Sequence, residues 1–361
     1  MRKLTTAIAA ALTAFTASTA FAAEVRVYNW SDYIDEEILT DFEAETGIHV
    51  VYDVFDSNEV LETKLLAGST GYDIVVPSGE FLARQIQAGV FQKLDKSKLP
   101  NLENMWDKIT ELTSKYDPGN EYSINYMWGT TGIGYNVGKT QEILGTDTID
   151  SWEVVFNPDI LSKFADCGVH FLDAPVEIIP AALNYLGLDP TSENADDLAK
   201  AEELLLKIRP YVQKFHSSEY INALANGDIC LAVGWSGDVI QAADRASEAD
   251  QGVEISYTIP KEGALMWFDQ MAIPTDAKNV DEAHQFLNYI MRPEVIAKAS
   301  NYVYYANGNK ASQPLLEEDL IGDPTIYPDA ETTQKLYVKL PYSPKANRLV
   351  TRIWTRVTTG Q

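Results

Sequence analysis

Tryptophan and aspartate lie close together at three separate places in the chain. The pairs are Trp30 with Asp32, Trp235 with Asp238, and Trp267 with Asp269. An indole face attracts a cation and a carboxylate pairs with its charge, which suits a cationic, partly apolar ligand. The first pair directly follows a short alternating strand, and ligands of open α/β sheets bind beyond the carboxyl ends of strands. The pattern therefore predicts a binding site for a small cation.

Each of these residues also has an ordinary structural use. Tryptophan commonly fills the core of a large α/β protein, and this chain has seven. Asp32 and Asp238 stand where an aspartate would cap a following helix. Spacing alone therefore leaves both interpretations open.

Strand-like and helix-like segments alternate along the chain, which predicts parallel or mixed sheets with crossover helices. Asp56 and Glu59 resemble a capping box that opens a helix with Val60, Leu61 and Leu65 facing inward. The predicted strands span residues 24–28, 48–54, 73–76, 169–172, 229–234 and 255–260, and the predicted helices span residues 34–46, 194–209 and 281–291.

The glycine-rich segment at residues 126–135 lacks the Lys and Ser/Thr of a phosphate loop and predicts a long strand that passes between two domains. The length of the chain also favours two domains. Two α/β lobes joined by crossing strands form a hinge, and such a hinge allows the lobes to close around a ligand.

Residues 1–22 have the pattern of a cleaved secretory signal peptide. Arg2 and Lys3 precede an uncharged, apolar and small-residue-rich run, and Ala20, Phe21 and Ala22 form a small-x-small cleavage site. No later uncharged apolar run approaches 18 residues, the length that a membrane span needs. The sequence therefore predicts export as a soluble protein, and the family resemblance given below places it in the periplasm.

The formal net charge is −25, and removal of Arg2 and Lys3 with the signal would bring it to −27. A chain this acidic lacks the basic face that phosphate binding requires, which excludes nucleic acid as a partner. A negative field attracts cations, although acidity also serves solubility or adaptation to salt.

Cys167 and Cys230 are the two cysteines of the chain. In an oxidising compartment such a pair usually forms one disulfide, which we predict here. The four histidines do not stand at metal-ligand spacing, so we expect neither a bound metal nor a cofactor.

Seven motifs carry a resemblance to a known family: NWSDY (29–33), YDVFDSNE (52–59), VVPS (75–78), TGIGYN (131–136), FLDAP (171–175), VGWSGD (233–238) and PKEGA (260–264). In this order, along essentially the whole chain after the signal, they resemble the periplasmic polyamine-binding proteins of ABC importers, most closely the putrescine-binding receptors.

The resemblance implies an α/β fold of the two-lobed type II periplasmic binding class, with mixed sheets flanked by helices and a crossing-strand hinge. Lobe 1 would comprise residues 23–133 and 261–312, and lobe 2 residues 134–260 and 313–361. It also implies a monomeric receptor, not an enzyme, that delivers a polyamine to an inner-membrane ABC permease.

The resemblance implies a ligand site as well, and physical chemistry agrees with its composition. A diamine buries two ammonium groups, which need acids at both ends, and its methylenes pack on aromatic faces. The implied site residues are Trp30, Ser31, Asp32, Tyr33, Ser78, Glu177, Trp235, Asp238, Trp267, Asp269 and Tyr305. Glu80, which departs from the small polar or aromatic residue of the relatives, is a further candidate.

Two of these positions bear on which polyamine is bound. Trp267 is more similar to spermidine-binding members, whereas Asp238 matches the diamine-binding pattern. Glu80 would pair with an additional ammonium if it faces the cleft, and would otherwise be a surface acid. We expect putrescine ahead of spermidine.

Two other classes of function are alternatives. Tyr304 and Tyr305 form a phenol pair that could bind Fe³⁺ in a ferric-ion receptor. Residues 234–238 resemble the nucleophile elbow of an exported hydrolase, but the second glycine is missing from its required place.

Overall fold

The computed structural model describes residues 23–361, so the predicted signal peptide lies outside the described residues. The strands are β1 (Glu24–Trp30), β2 (His49–Phe55), β3 (Ile74–Val75), β4 (Ser123–Asn136), β5 (Val169–Phe171), β6 (Lys214–Phe215), β7 (Leu231–Trp235), β8 (Ile255–Thr258), β9 (Met266–Ala272) and β10 (Ala306–Asn307).

The α-helices are α1 (Glu36–Thr46), α2 (Asn58–Ala67), α3 (Gly79–Gln87), α4 (Asp107–Thr113), α5 (Val137–Leu144), α6 (Glu153–Phe156), α7 (Pro158–Leu161), α8 (Pro175–Tyr185), α9 (Ala195–Ile208), α10 (Tyr220–Ala225), α11 (Ser236–Ala249), α12 (Val280–Ile290), α13 (Pro293–Val303), α14 (Glu318–Ile321), α15 (Ala330–Lys335) and α16 (Pro344–Thr359). Short 3₁₀ helices cover Lys96–Lys98, Pro100–Asn104, Ser162–Phe164, Arg209–Tyr211 and Lys310–Leu315.

The strands form a mixed sheet in the order β2-β1-β3-β9-β4-β7-β5-β6, and β8 and β10 also pair with β4. The β2-β1-β3 and β7-β5-β6 groups are parallel, whereas β9 and β7 run antiparallel to β4. We call the part built on β1–β3 and β9 the first lobe, and the part built on β5–β7 the second lobe.

Strand β4 crosses from one lobe to the other, as the sequence predicts. Its residues 123–130 pair with β9 of the first lobe, and its residues 131–135 pair with β7 of the second. Each lobe has its own hydrophobic core, one around Val27, Phe42 and Phe286, the other around Trp152, Phe171 and Leu231. A continuous strand between two separate cores is the geometry of a hinge.

Local signals explain most helix boundaries. Asp35 caps α1, because its carboxylate accepts a hydrogen bond from the amide of Glu37, and Gly47 ends the helix in the left-handed conformation. The predicted capping box at Asp56 is wrong by one residue. Ser57 is the N-cap of α2 and accepts a hydrogen bond from Val60, whose side chain is 48% exposed rather than inward.

The predicted disulfide between Cys167 and Cys230 is present, with the two Cα atoms 5.7 Å apart. It joins the chain just before the adjacent parallel strands β5 and β7. It therefore fastens the second lobe internally and does not connect the two lobes.

The chain after residue 312 contributes to both lobes. Leu316, Leu320 and Ile326 pack with Ile109 and Phe268 on the first-lobe side, in a third and smaller hydrophobic cluster. Helix α16 packs instead on α8 and α9 of the second lobe. No helix within residues 23–361 combines the length and the apolar character needed to cross a bilayer.

Candidate functional site

A pocket lies between the two lobes, and it brings together most of the predicted site. Its lining residues are Trp30, Ser31, Tyr33, Asp56, Ser78, Glu177, Ser217, Trp235, Asp238, Trp267, Asp269 and Tyr305. Most of them stand at or just beyond the carboxyl ends of β1, β2, β3, β5, β6 and β7. The ligand-binding crevice of an open α/β sheet lies beyond these strand ends.

Four aromatic rings contact one another in sequence along the pocket. The ring centroids are 5.6 Å apart between Trp30 and Trp235, 6.4 Å between Trp235 and Trp267, and 5.3 Å between Trp267 and Tyr305. The indoles meet edge to face at 74°. All four of these residues line the pocket, and aromatic faces attract both methylene groups and cations.

Strand geometry and hydrogen bonding hold the first of these rings. Trp30 is the last residue of β1, and its indole N–H donates to the carbonyl of Val76 at 2.9 Å, just beyond the neighbouring strand β3. The ring is therefore fixed by the sheet itself before any ligand arrives.

Two glycines allow the rings of the opposite side to approach the backbone. A Cβ atom on Gly237 would lie 2.5 Å from the ring of Tyr305, and one on Gly129 would lie 2.7 Å from Trp267. Any other residue at either place would force the ring to move. These glycines are therefore part of the site, although neither lines it.

Asp269, on β9, is held by two hydroxyl groups of the first lobe. Tyr33 donates to its Oδ2 at 2.8 Å, and Ser78 donates to its Oδ1 at 2.7 Å. Asn58 in turn fixes Ser78 through hydrogen bonds at 3.0 and 3.1 Å. Burial of the carboxyl raises the pKa of Asp269 to about 7.

Asp238, in the first turn of α11, has a similar arrangement built from other elements. Tyr305 donates to its Oδ1 at 2.6 Å, and Tyr220 donates to its Oδ2 at 2.7 Å. Burial raises the pKa of Asp238 to about 7, and the two phenols limit that rise because they stabilise the carboxylate. Both aspartates keep further acceptor positions, since an ionised carboxylate offers about four.

Glu177 is the third acid of the pocket. It lies in the first turn of α8, and the hydroxyl of Thr131 on β4 donates to it. Burial, with the nearby charge of Glu80 as a secondary cause, raises the pKa of Glu177 to about 8. Three buried acids around one pocket are electrostatically unfavourable when all are ionised. A ligand with two positive charges would relieve that cost.

Two predicted site residues do not line the pocket. Asp32 directs its carboxylate to Arg245 of the second lobe, at 2.6 Å, and its backbone adopts a left-handed conformation with φ 54°. Glu80 is buried in the first turn of α3, behind Ser78. Asp32 therefore does not line the pocket in this geometry, and Glu80 neither lines it nor lies on the surface.

The sequence-based site omits two residues that line the pocket, Asp56 and Ser217. Both follow the end of a strand, β2 and β6 respectively, so the rule that indicated Trp30 could also have indicated them. It also omits the residues that orient the acids, among them Tyr220, Thr131 and Asn58. No local pattern marks these, because their partners are distant in sequence.

The geometry gives no support to the ferric or hydrolase alternatives. Tyr305 lines the pocket, whereas Tyr304 lies outside it and beside Asp244, so the two phenols do not converge. Within residues 23–361, no cluster of three or more His, Cys, Asp or Glu could hold a metal ion. Ser236, the serine of the elbow-like motif, lies against the backbone amide of Thr130 and has no histidine partner among the described residues.

Comparison with known proteins gives a consistent result. The sequence model of the bacterial extracellular solute-binding protein family matches residues 37–328. The chain is 54% identical over 358 residues to the putrescine-binding periplasmic protein PotF of Escherichia coli K12, which covers 98% of this chain and 97% of that protein. It is also 54% identical over 338 residues to the putrescine-binding periplasmic protein SpuD of Pseudomonas aeruginosa, covering 93% and 92%.

A solved structure from Listeria monocytogenes, described as a spermidine/putrescine ABC transporter, is similar over 94% of this chain and 100% of its own. The TM-score is 0.84 and the sequence identity 33%. The likeness to such structures confirms the fold class predicted from the sequence, a two-lobed type II periplasmic binding fold with a mixed sheet flanked by helices.

Proposed function

Because the chain belongs to the bacterial extracellular solute-binding proteins, we propose that it captures a polyamine, putrescine foremost, in the interlobe pocket and delivers it to an ABC importer. The relatives that it matches over nearly its whole length are periplasmic binding proteins. This protein is likewise a periplasmic receptor and not an enzyme. The monomeric state and an inner-membrane permease as the partner are parts of the same proposal.

The observation that carries this proposal is the convergence of three buried acids and three indoles on one pocket between the lobes. An alkyl diamine carries an ammonium with three donors at each end, and each must find acceptors when water is removed. Asp238 and Asp269 are each oriented by a separate pair of hydroxyl donors, and each keeps acceptor positions that an ammonium can use. Glu177 adds acceptors between the lobes.

The aromatic rings account for the apolar part of the ligand. Each methylene packed on an indole contributes roughly 0.8 kcal/mol, and each cation–indole contact adds roughly 0.5–2 kcal/mol. A neutral or anionic ligand would bring no positive charge to compensate the buried acids, so the pocket favours a cation.

Closure of the lobes would complete the site. In the present, closed arrangement, Arg245 on α11 pairs with Asp32, and the amide of Gln241 donates to the backbone carbonyls of Asp32 and Val303 at 3.3 and 3.1 Å. These contacts join the two lobes beside the pocket. We propose that Asp32 stabilises the closed form through Arg245 and does not bind the ligand. The permease would then recognise the closed form.

Putrescine is proposed ahead of spermidine on two grounds. The two relatives at 54% identity are named as putrescine-binding proteins. In addition, Glu80, the acid best placed in sequence to meet an extra ammonium, does not line the pocket.

The test is a ligand panel measured by thermal shift and then by calorimetry, with putrescine, cadaverine, spermidine, spermine, Fe³⁺ and glutamate. We expect putrescine to stabilise most, by roughly 2.7 kcal/mol at 100 times its Kd. Stabilisation by Fe³⁺ or glutamate, and none by any polyamine, would refute the proposal.

A further inference from the structure

Asp238 receives hydrogen bonds from two phenols that belong to different lobes. Tyr220, on α10 of the second lobe, donates to its Oδ2 at 2.7 Å. Tyr305, which packs in the hydrophobic core of the first lobe, donates to its Oδ1 at 2.6 Å. Asp238 itself lies on α11 of the second lobe. One of its two orienting bonds is therefore internal to a lobe, and the other crosses the cleft.

The position of Tyr305 is fixed by the first lobe. Tyr304 ends α13 in the left-handed conformation, with φ 58°, and Ala306 then begins β10, which pairs with the first-lobe half of β4. The Tyr305 side chain is buried, and its ring meets those of Tyr33 and Trp267 at centroid distances of 5.2 and 5.3 Å. The phenol would therefore move with the first lobe when the cleft opens.

The contact across the cleft consists of two bonds to one residue. Besides donating to the carboxylate, the Tyr305 hydroxyl accepts a hydrogen bond from the backbone amide of Asp238 at 3.0 Å. Gly237 allows this approach, because a Cβ atom there would lie 2.5 Å from the Tyr305 ring. Separation of the lobes would break both bonds and leave the carboxylate with Tyr220 alone.

Asp269, the acid that faces the same pocket from β9, does not depend on closure in this way. Its two hydroxyl donors, Tyr33 and Ser78, belong to the first lobe, as does Asp269 itself. These bonds would persist when the lobes separate. The two acids therefore differ, because one is fully oriented in an open form and the other is completed only when the lobes meet.

We propose that Tyr305 is a positioning residue, which completes the Asp238 end of the site only when the lobes close. A polyamine then binds first to Asp269 on the first lobe and second to Asp238. A carboxylate held by one phenol has more freedom to lose around an ammonium than a carboxylate held by two. Closure supplies the second phenol, so closure and capture of the second ammonium are one event. The inference rests on the proposed function, since it gives the order in which that same pocket takes up its ligand.

Tyr305→Phe removes the hydroxyl and keeps the ring. Stopped-flow tryptophan fluorescence follows the association and dissociation of putrescine. We expect the dissociation rate to rise roughly tenfold, as for the loss of a hydrogen bond to a charged group. The association rate should stay at the wild-type value, because the bond is absent from the open form that the ligand meets.

Tyr220→Phe is the matched control, because it removes a hydroxyl from the same carboxylate without touching a bond across the cleft. The Tyr220 bond persists in the open form, so its loss should lower the thermal unfolding midpoint of the ligand-free protein by roughly 2–4 °C. Tyr305→Phe should leave that midpoint unchanged, since its bond forms only on closure. An equal loss of ligand-free stability in the two variants would overturn the inference.

An Asp238→Ala background tests whether Tyr305 acts through Asp238. In that background, Tyr305→Phe should change the Kd for putrescine less than twofold, because the carboxylate that the phenol orients is gone. A tenfold effect there would assign Tyr305 to direct contact with the ligand and overturn the inference.

The proposed function and this inference fail in different ways. Wild-type dissociation rates in Tyr305→Phe would overturn the inference and leave the proposed function intact. A wild-type protein that binds no polyamine would overturn the proposed function, and this inference with it.

Discussion

At the residue scale, the pocket acids are held in a state that favours a cationic ligand. Asp238, Asp269 and Glu177 each lie in a buried environment that raises the carboxyl pKa, while hydroxyl donors keep the carboxylates oriented. An acid that is costly to ionise alone becomes favourable to ionise when an ammonium pairs with it. Affinity for a diamine would arise from that difference.

Asp269→Asn tests the importance of charge at one end of the ligand. The amide keeps the size of the side chain but leaves an ammonium buried without its counter-charge, so putrescine binding should weaken by about 3–5 kcal/mol. Isothermal calorimetry measures the loss. The matched control is Asp147→Asn, an exposed aspartate, which leaves the affinity unchanged. Wild-type affinity in Asp269→Asn would remove this acid from the site.

The raised pKa values predict proton release on binding. Without ligand, Asp238 and Asp269 titrate at about 7 and Glu177 at about 8, so near pH 7 they are partly protonated. A dication requires the ionised forms. Putrescine should therefore expel protons near pH 7, and its affinity should fall as the pH drops below that value. Calorimetry in two buffers with different ionisation enthalpies measures the protons, and a heat independent of buffer would contradict the prediction.

The same raised pKa values predict that the stability of the ligand-free protein decreases as the pH rises, whereas the affinity for putrescine increases. The unfolded carboxyl groups titrate near 4, below their folded pKa values. Stability from these acids is therefore fully present below about pH 4 and is lost as the pH rises through 7–8. Ligand-bound protein should resist this loss, since the ammonium groups stabilise the ionised acids.

The family resemblance implied ten of the twelve pocket residues, whereas residue types and strand ends alone indicated only the Trp and Asp pairs, and neither gave the direction of a side chain. Asp32 follows the end of β1 as Trp30 and Ser31 do, yet its left-handed backbone directs the carboxylate to Arg245. Glu80 is two residues beyond Ser78, but it is buried in the first turn of α3 and does not line the pocket. The outcome at Asp32 depends on a partner 213 residues away in the chain.

At the scale of elements, α11 links the pocket to lobe closure. Its first turn carries Asp238, which contacts the pocket, and its later turns carry Gln241 and Arg245, which contact the first lobe. One rigid helix therefore bears both ligand-sensing and lobe-joining groups, so that closure and binding are coupled.

Arg245→Met tests this link, because it removes the pair with Asp32 and keeps most of the stem. Both partners are about a third exposed, so the pair contributes no more than about 1 kcal/mol, and putrescine affinity should fall roughly two- to fivefold. Arg292→Met is the control: Arg292 pairs with Glu45 at the same 2.6 Å, but within the first lobe. Equal affinity losses in the two variants would show that closure is not involved.

Element boundaries followed from local sequence wherever the cap and the partner are close in sequence. Asp35 and Gly47 delimit α1, and Asn194 caps α9, as the predicted ranges require. The start of α2 was misjudged because Asp56 and Ser57 are both good caps, and the local sequence does not say that Asp56 belongs to the pocket.

At the scale of the whole molecule, two cores with separate packing are joined by a few chain crossings. The disulfide reinforces one of these cores and lies within the second lobe. Alternation of strands and helices predicted this plan, since each lobe is built from consecutive βα units. No sequence pattern indicated that residues 313–361 pack on both lobes. The predicted boundaries of the lobes remain predictions.

Replacement of Cys167 and Cys230 by serine tests the separation of stability from binding. The bridge spans 63 residues, and its loss should destabilise the protein by roughly 4 kcal/mol through the entropy of the unfolded chain. Putrescine affinity should stay at the wild-type value, because neither cysteine lines the pocket. Urea unfolding and calorimetry measure the two quantities. A parallel loss of affinity would mean that the bridge shapes the pocket.

The most direct measurement is a crystal structure of the protein grown with putrescine. The account predicts one ligand molecule between the lobes, with its ammonium nitrogens about 3 Å from carboxylate oxygens of Asp238 and Asp269 and its methylenes against Trp30 and Trp235. Putrescine bound elsewhere, or a pocket in which these acids face away from the ligand nitrogens, would contradict it.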